Sequence, residues 1–158
     1  MAELRSISDL LEVAIRVERC LLDFYKKMRD QIEHSYGRDQ FDSLASEEQT
    51  HVVMLRRFLD GIGEDEDGFR LKRGQVKSQN GLVSHAMRVF SRAEEMTRTD
   101  DALEALSIGM ELEMESIFYF TELHDMFQGE QQDLIAHILK NEKSHLLRLI
   151  AMTKKTEF

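Results

Sequence analysis

Four stretches of this chain carry an apolar residue every three or four positions, and each of these seams is broken near its middle by a glutamate. The first seam reads Leu11, Ile15, Glu18, Leu22, Tyr25, and the second reads Phe41, Leu44, Glu48, His51, Leu55, Phe58. The third reads Leu106, Met110, Glu113, Ile117, Phe120, and the fourth reads Ile135, Ile138, Glu142, His145, Leu149, Met152. This is the period of one face of an α-helix. The pattern comes in two copies. Glu113 lies 95 residues after Glu18, while Glu142 and His145 lie 94 residues after Glu48 and His51. A single-glutamate seam followed by a Glu-x-x-His seam, repeated once, predicts two helical hairpins related by an approximate two-fold axis.

Helices are predicted over about 8–34, 40–61, 100–127 (with Leu103 also in its seam) and 130–154. Ser6 and Ser8 precede the first run as N-caps, as Asp100 and Asp101 precede the third. Gly37 and Gly129 are placed in the two short breaks, where the hairpins turn. Proline is absent and there are only eight glycines, so nothing interrupts long helices. Between the second and third runs, an acidic, glycine-bearing loop at 61–68 precedes a shorter helix over 82–96. That helix has Leu82, Val83, Met87 and Phe90 on one side. The expected fold is all-α: a four-helix bundle of two helical hairpins joined by a long crossover, about 62–99, within a single domain spanning 1–158.

Charge and cysteine content exclude several function classes. A net charge of −9 opposes the holding of phosphate backbones, so no nucleic-acid partner is expected. No apolar run approaches the roughly 18 residues of a membrane span. The single cysteine, Cys20, excludes an internal disulfide framework and any four-cysteine metal site. The N-terminal residues are charged where a secretory signal carries its apolar core, so a cytoplasmic location is expected.

Four carboxylates at core positions cannot all stay ionised without compensation, because desolvation and mutual repulsion both oppose it. Protonation or pairing with arginine would relieve them, but no Lys or Arg stands in these seams near the glutamates. Two divalent cations would neutralise four carboxylates. Residues three apart on a helix are neighbours, so Glu48 and His51 can converge on one ion and Glu142 and His145 on another. Glu18 and Glu113 complete the set. Mixed carboxylate and imidazole ligands suit iron or manganese, with zinc as a further option. Taken singly, a seam glutamate is ordinarily a helix-end or surface residue. Six such residues on four seams in matched copies are not.

Other candidates read as ordinary. Glu47, Glu111 and Glu115 are expected to face water, with Glu115 able to approach a site where its helix is distorted. His34, His85, His124 and His137 have no matching copy and are expected at the surface or in loops. Cys20 lies off the seam as a packed thiol. Tyr25, two turns beyond Glu18, reads first as a core tyrosine and second as a hydrogen-bond partner of the site; its counterpart in the other half is Phe120.

The segments AIRVERCLLDFY (14–25) with EEQTH (47–51), and GMELEMESIFYF (109–120) with NEKSH (141–145), resemble the ferritin-like superfamily, most closely its rubrerythrin-like branch. The resemblance implies a ferritin-like bundle with a non-haem site of two iron ions. In it Glu18 and Glu113 are single-helix carboxylate ligands, Glu48 and Glu142 bridge, and His51 and His145 are terminal. It also implies reduction of peroxide or oxidation of ferrous iron by oxygen, and a homodimer. Two departures stand out. With one cysteine, no rubredoxin-like module is expected here, so peroxide turnover would need an external electron-donor protein. Rubrerythrin proper has a further glutamate three residues after the third-helix ligand, where this chain has Ser116. The alternatives are an iron-sequestering protein without efficient turnover and a metal-free helical interaction module.

Overall fold

The computed structural model describes residues 6–62, 73–95 and 101–155. Among them run five helices: α1 (Ile7–Gln31), α2 (Ser35–Ile62), α3 (Arg73–Glu95), α4 (Ala102–His124) and α5 (Glu130–Thr153). α1 packs along α2 and α4 along α5, giving the two hairpins. The hairpins meet where α1 faces α4 and α2 faces α5. None of the helices is long and apolar enough to cross a membrane among these residues.

Local chemistry sets the ends. Ser6 and Asp9 form a reciprocal capping box: Ser6 Oγ accepts from the Asp9 amide at 3.1 Å, and the Ser6 amide donates to Asp9 Oδ2 at 3.0 Å. Asp101 Oδ1 accepts from the Leu103 and Glu104 amides and starts α4. Asp100 lies outside the described residues, and Ser8 is already helical. Gly129 has φ +63°, a left-handed conformation that glycine adopts without steric cost, and it turns the second hairpin.

Gly37 is displaced from its expected place. The first break is only Ile32 to His34, and Gly37 is buried in the first turns of α2. Arg38 closes this turn instead, its guanidinium donating to the carbonyls of Ile32 and Glu33 at 3.3–3.4 Å. Leu103 is also displaced: it is 60% exposed. The buried face of α4 runs through Ala105, Ile108, Leu112, Ser116 and Tyr119, and position 103 falls outside it.

The crossover helix is longer than expected, 23 residues from Arg73. Of the expected acidic loop, residues 63–68 lie outside the described residues. α3 buries Leu82, Val83, Ala86, Val89 and Phe90 and lies against α1 and α4. Arg16 of α1 stacks over the Phe90 ring at 4.7 Å, and Arg92 pairs with Glu111 of α4 at 2.5 Å. Glu111 therefore points toward the crossover helix and away from the bundle interior.

Gly109 sits where α4 packs closely against both α1 and α5. A Cβ there would stand 2.9 Å from Phe24 Cε1 of α1 and 3.2 Å from Leu149 Cδ1 of α5. Alanine would gain helix propensity but push a ring and a fully buried leucine. Gly109→Val is expected to destabilise the protein by about 2–3 kcal/mol through overpacking, read as a lower urea midpoint at unchanged slope.

Candidate metal centre

The four long seams deliver six polar side chains to the middle of the bundle, all essentially excluded from solvent. Glu18, Glu48, Glu113, Glu142 and His145 are 0% exposed and His51 is 1% exposed. All six residues named from the sequence are brought together.

They form two overlapping groups. Glu18, Glu48, His51 and Glu142 each offer an atom such that all four lie within 4.8 Å of one another, and so do Glu48, Glu113, Glu142 and His145. Glu48 and Glu142 belong to both. His51 Nδ1 lies 2.9 Å from Glu18 Oε2, 3.1 Å from Glu48 Oε2 and 3.1 Å from Glu142 Oε1. His145 Nδ1 mirrors it, 2.8 Å from Glu48 Oε1 and 3.6 Å from both Glu113 Oε1 and Glu142 Oε1. The two rings lie nearly parallel, their centroids 5.7 Å apart. The approximate two-fold read from the sequence offset is thus present in space: each imidazole faces its own hairpin's single glutamate and the shared pair.

The electrostatics are those of a site short of positive charge. Burial raises the pKa of Glu18 well above the carboxylate range, and repulsion from Glu142 and Glu48 adds to it. The same causes raise Glu113. Burial, with the Glu142 charge, lifts Glu48 to about 7. Burial also opposes the charge on Glu142, but His51, His145 and Ser116 outweigh it and hold that carboxyl below its usual range. Burial likewise opposes a charge on His51, yet the carboxylates of Glu142, Glu18 and Glu48 hold its pKa far above the ordinary imidazole value.

Glu113 Oε2 has no hydrogen-bond partner. Glu48 Oε1, Glu142 Oε1 and His145 Nδ1 make no hydrogen bond of good geometry, although His145 Nδ1 stands 2.8 Å from Glu48 Oε1 and His51 Nδ1 3.1 Å from Glu142 Oε1. A native interior does not ordinarily leave several acceptors aimed at one point. The donor set of carboxylate oxygens and imidazole nitrogens fits a divalent transition metal.

Several supporting residues were not legible on the seams. Glu47, expected to face water, accepts from His145 Nε2 at 3.0 Å and from Arg148 at 2.6 Å. Burial works against its charge, but Arg148 and His145 hold its pKa below the carboxylate range. Asn141 stands 3.2 Å from His51 Nε2. His137 is exposed as expected, yet its ring reaches the Asn141 amide at 3.5 Å. Ser116 is fully buried and donates to Glu142 Oε2 at 2.7 Å. Tyr25 is both of the things the sequence left open: a wholly buried core residue, packed on Phe24 and Phe41, whose hydroxyl donates to Glu113 Oε1. Burial and the adjacent Glu113 carboxylate push its pKa well up, so it stays a donor.

The signal for Glu47 was present in the repeat. Glu47 and Asn141 are 94 residues apart and each precedes a shared glutamate. The two-fold sets each beside the histidine of the other hairpin.

The family model described as Rubrerythrin matches residues 9–153. Among solved structures, one from Thermotoga maritima, provisionally described as a ferritin-like diiron-carboxylate protein, superposes with a TM-score of 0.74 at 24% identity. The alignment covers 99% of each chain, a similarity of fold. No curated protein matches the chain significantly.

Proposed function

The chain belongs to the rubrerythrin family, and from that premise we propose that it is a di-iron carboxylate oxidoreductase acting on peroxide or oxygen. The observation that carries this reading is the pair of buried ligand groups sharing Glu48 and Glu142. Glu18 and His51 would hold one ion, Glu113 and His145 the other, and the two shared carboxylates would lie between them. The donors suit iron or manganese, with zinc as a competitor, and the family favours iron. When bound, two ferrous ions supply the two electrons that cleave the O–O bond of peroxide, which with two protons becomes two waters.

The protein's own groups have three tasks. The carboxylates neutralise the cations in a medium where bare charge is costly. Tyr25 and Ser116 hold Glu113 and Glu142 by hydrogen bonds, fixing which carboxylate oxygen stays free. The surrounding core, with Leu21, Phe41, Leu44, Leu112 and Phe120 wholly buried, keeps bulk water out. Electrons for a further turnover come from a separate donor protein. We further read the protein as a single functional domain, a homodimer, working in the cytoplasm; sedimentation velocity checks the dimer.

Stopped-flow absorbance of the protein loaded with two ferrous ions per chain tests the reaction. Oxidation complete within seconds on mixing with equimolar peroxide is expected, with iron staying near two per chain. Uptake of many irons per chain would indicate sequestration instead, and inertness to both oxidants would sink the redox reading.

A further inference from the structure

The two-fold that relates the six candidate ligands does not extend to the groups behind them. His145 Nε2 donates to the Glu47 carboxylate at 3.0 Å, and Arg148 clamps that carboxylate at 2.6 Å while also reaching the Gln40 carbonyl at 3.4 Å. At the equivalent place behind His51 stands Asn141, a neutral amide 3.2 Å from His51 Nε2 and 3.5 Å from His137 Nε2. One imidazole leans on a charge and the other on a dipole.

A second, independent asymmetry lies on the inner side. In the His145 group Nδ1 stands 2.8 Å from Glu48 Oε1 without a hydrogen bond of good geometry, and Glu113 Oε2 has no hydrogen-bond partner. The His51 group is internally satisfied at its histidine, whose Nδ1 is hydrogen-bonded to Glu18 Oε2 at 2.9 Å and Glu48 Oε2 at 3.1 Å.

The chemistry of imidazole connects the two observations. A carboxylate accepting from Nε2–H fixes the tautomer whose Nδ1 lone pair points inward, and it makes the ring a stronger donor to a cation. A neutral amide behind Nε2 supplies no such charge, and Nδ1 of His51 donates to the carboxylates. A cation at His51 must displace two hydrogen bonds. A cation at His145 meets a ring nitrogen with no well-formed hydrogen bond and a Glu113 oxygen with no partner.

We propose that the two cation positions are inequivalent: the one formed by His145, Glu113, Glu48 and Glu142 takes a divalent transition-metal ion first and more tightly, and Glu47 is the positioning residue that sets this order. The inference rests on the metal-centre reading above. It assigns to the His51 position the weaker, more exchangeable cation.

Cobalt(II) titration of the metal-free full-length protein, followed by d–d absorption and calorimetry, tests it. The wild type should bind two equivalents in two steps. Mutual repulsion of the cations would split the steps in any symmetric site, so the variants decide. Glu47→Gln keeps the size and an acceptor but removes the charge. It should weaken the tighter step by about tenfold, the low end of the usual outer-ligand effect, because the Glu47 side chain is 39% exposed. Asn141→Asp should tighten the weaker step by a similar factor and draw the two together. His51→Gln should keep one tight equivalent with an unchanged d–d spectrum at half loading, and His145→Gln should lose it. A tighter step indifferent to Glu47→Gln, or one lost in His51→Gln and kept in His145→Gln, would overturn the inference alone. A wild type that binds no cobalt would overturn the metal reading and the inference with it.

Discussion

Two equivalents of ferrous iron, added under argon to the metal-free protein, are expected to raise its melting temperature by about 8–16 °C. A ligand present at about a thousand times its dissociation constant stabilises the folded state by roughly 4 kcal/mol, and for a chain of this size each kcal/mol is worth about 2–4 °C. The geometry supports a shift at the upper end, because two cations bind and each relieves a carboxylate that burial destabilises. Glu48 and Glu142 are common to both ligand groups, so removing them removes both cations. The double variant Glu48→Gln/Glu142→Gln should show no iron-induced shift and well below two irons per chain. Its helical content should match that of the wild type, since the helices are held by the apolar faces of α1, α2, α4 and α5 and not by the site. Scanning calorimetry with and without iron reads the shift, and circular dichroism reads the helices. An undiminished shift in the double variant would show that iron binds elsewhere.

Much of this arrangement was legible because helical periodicity and the metal site make the same demand. An apolar seam says which face is buried, so a glutamate inside the seam is a buried glutamate, and Glu18, Glu48, Glu113 and Glu142 all are. The offset of 94–95 residues then supplied the two-fold without any contact information. Capping chemistry narrows the starts of α1 and α4 to Ser6 or Ser8 and to Asp100 or Asp101, and the hydrogen bonds of the fold select Ser6 and Asp101. The failures are of another kind. Composition suggests a turn at Gly37, yet the turn at 32–34 carries no glycine and is closed by Arg38 from the next helix. Leu103 was counted into a seam whose buried face runs past it.

The outer partners were missed for a geometric reason. A residue one position before a seam position is rotated about 100° around its own helix, and on a single-helix view it points away from the core. Glu47 and Asn141 do so with respect to their own hairpins, but the neighbouring hairpin places a histidine there. Ser116 is the opposite case. It lies on the buried face, but a small polar side chain gives no periodic signal, and its value comes from Glu142 lying 2.7 Å away across the bundle. Pairings between helices are invisible to one-helix arithmetic unless, as with Glu47 and Asn141, the repeat exposes them.

Without metal, the same core should lose stability as pH rises, the reverse of what a set of ion-paired carboxylates would give. A carboxyl whose folded pKa is raised binds its proton more tightly in the folded state than in the unfolded one. Its stabilising contribution is complete below the unfolded value and is lost as pH climbs through the folded value. For Glu48 the window runs from about 4.5 to about 7, a loss on the order of 3 kcal/mol by linkage. Glu18 and Glu113, raised well above their ordinary values by burial and repulsion, act in the same sense. His51 does too, since its proton is also held more tightly in the folded state. Glu142 and its neighbour Glu47, whose pKa values are lowered, work the other way, and their windows lie below the ordinary carboxylate value. Urea unfolding of the metal-free protein at pH 5.5, 6.5 and 7.5 should therefore show a falling midpoint. With excess ferrous iron the trend should invert, because a cation that must displace protons from its ligands binds more tightly as they become easier to remove. Glu48→Gln should flatten the metal-free profile by about one proton's worth of slope between pH 5 and 7. A metal-free profile that rises with pH across that range would mean that the four glutamates are compensated from within the protein, and the reason for a cation pair at the centre of the bundle would be gone.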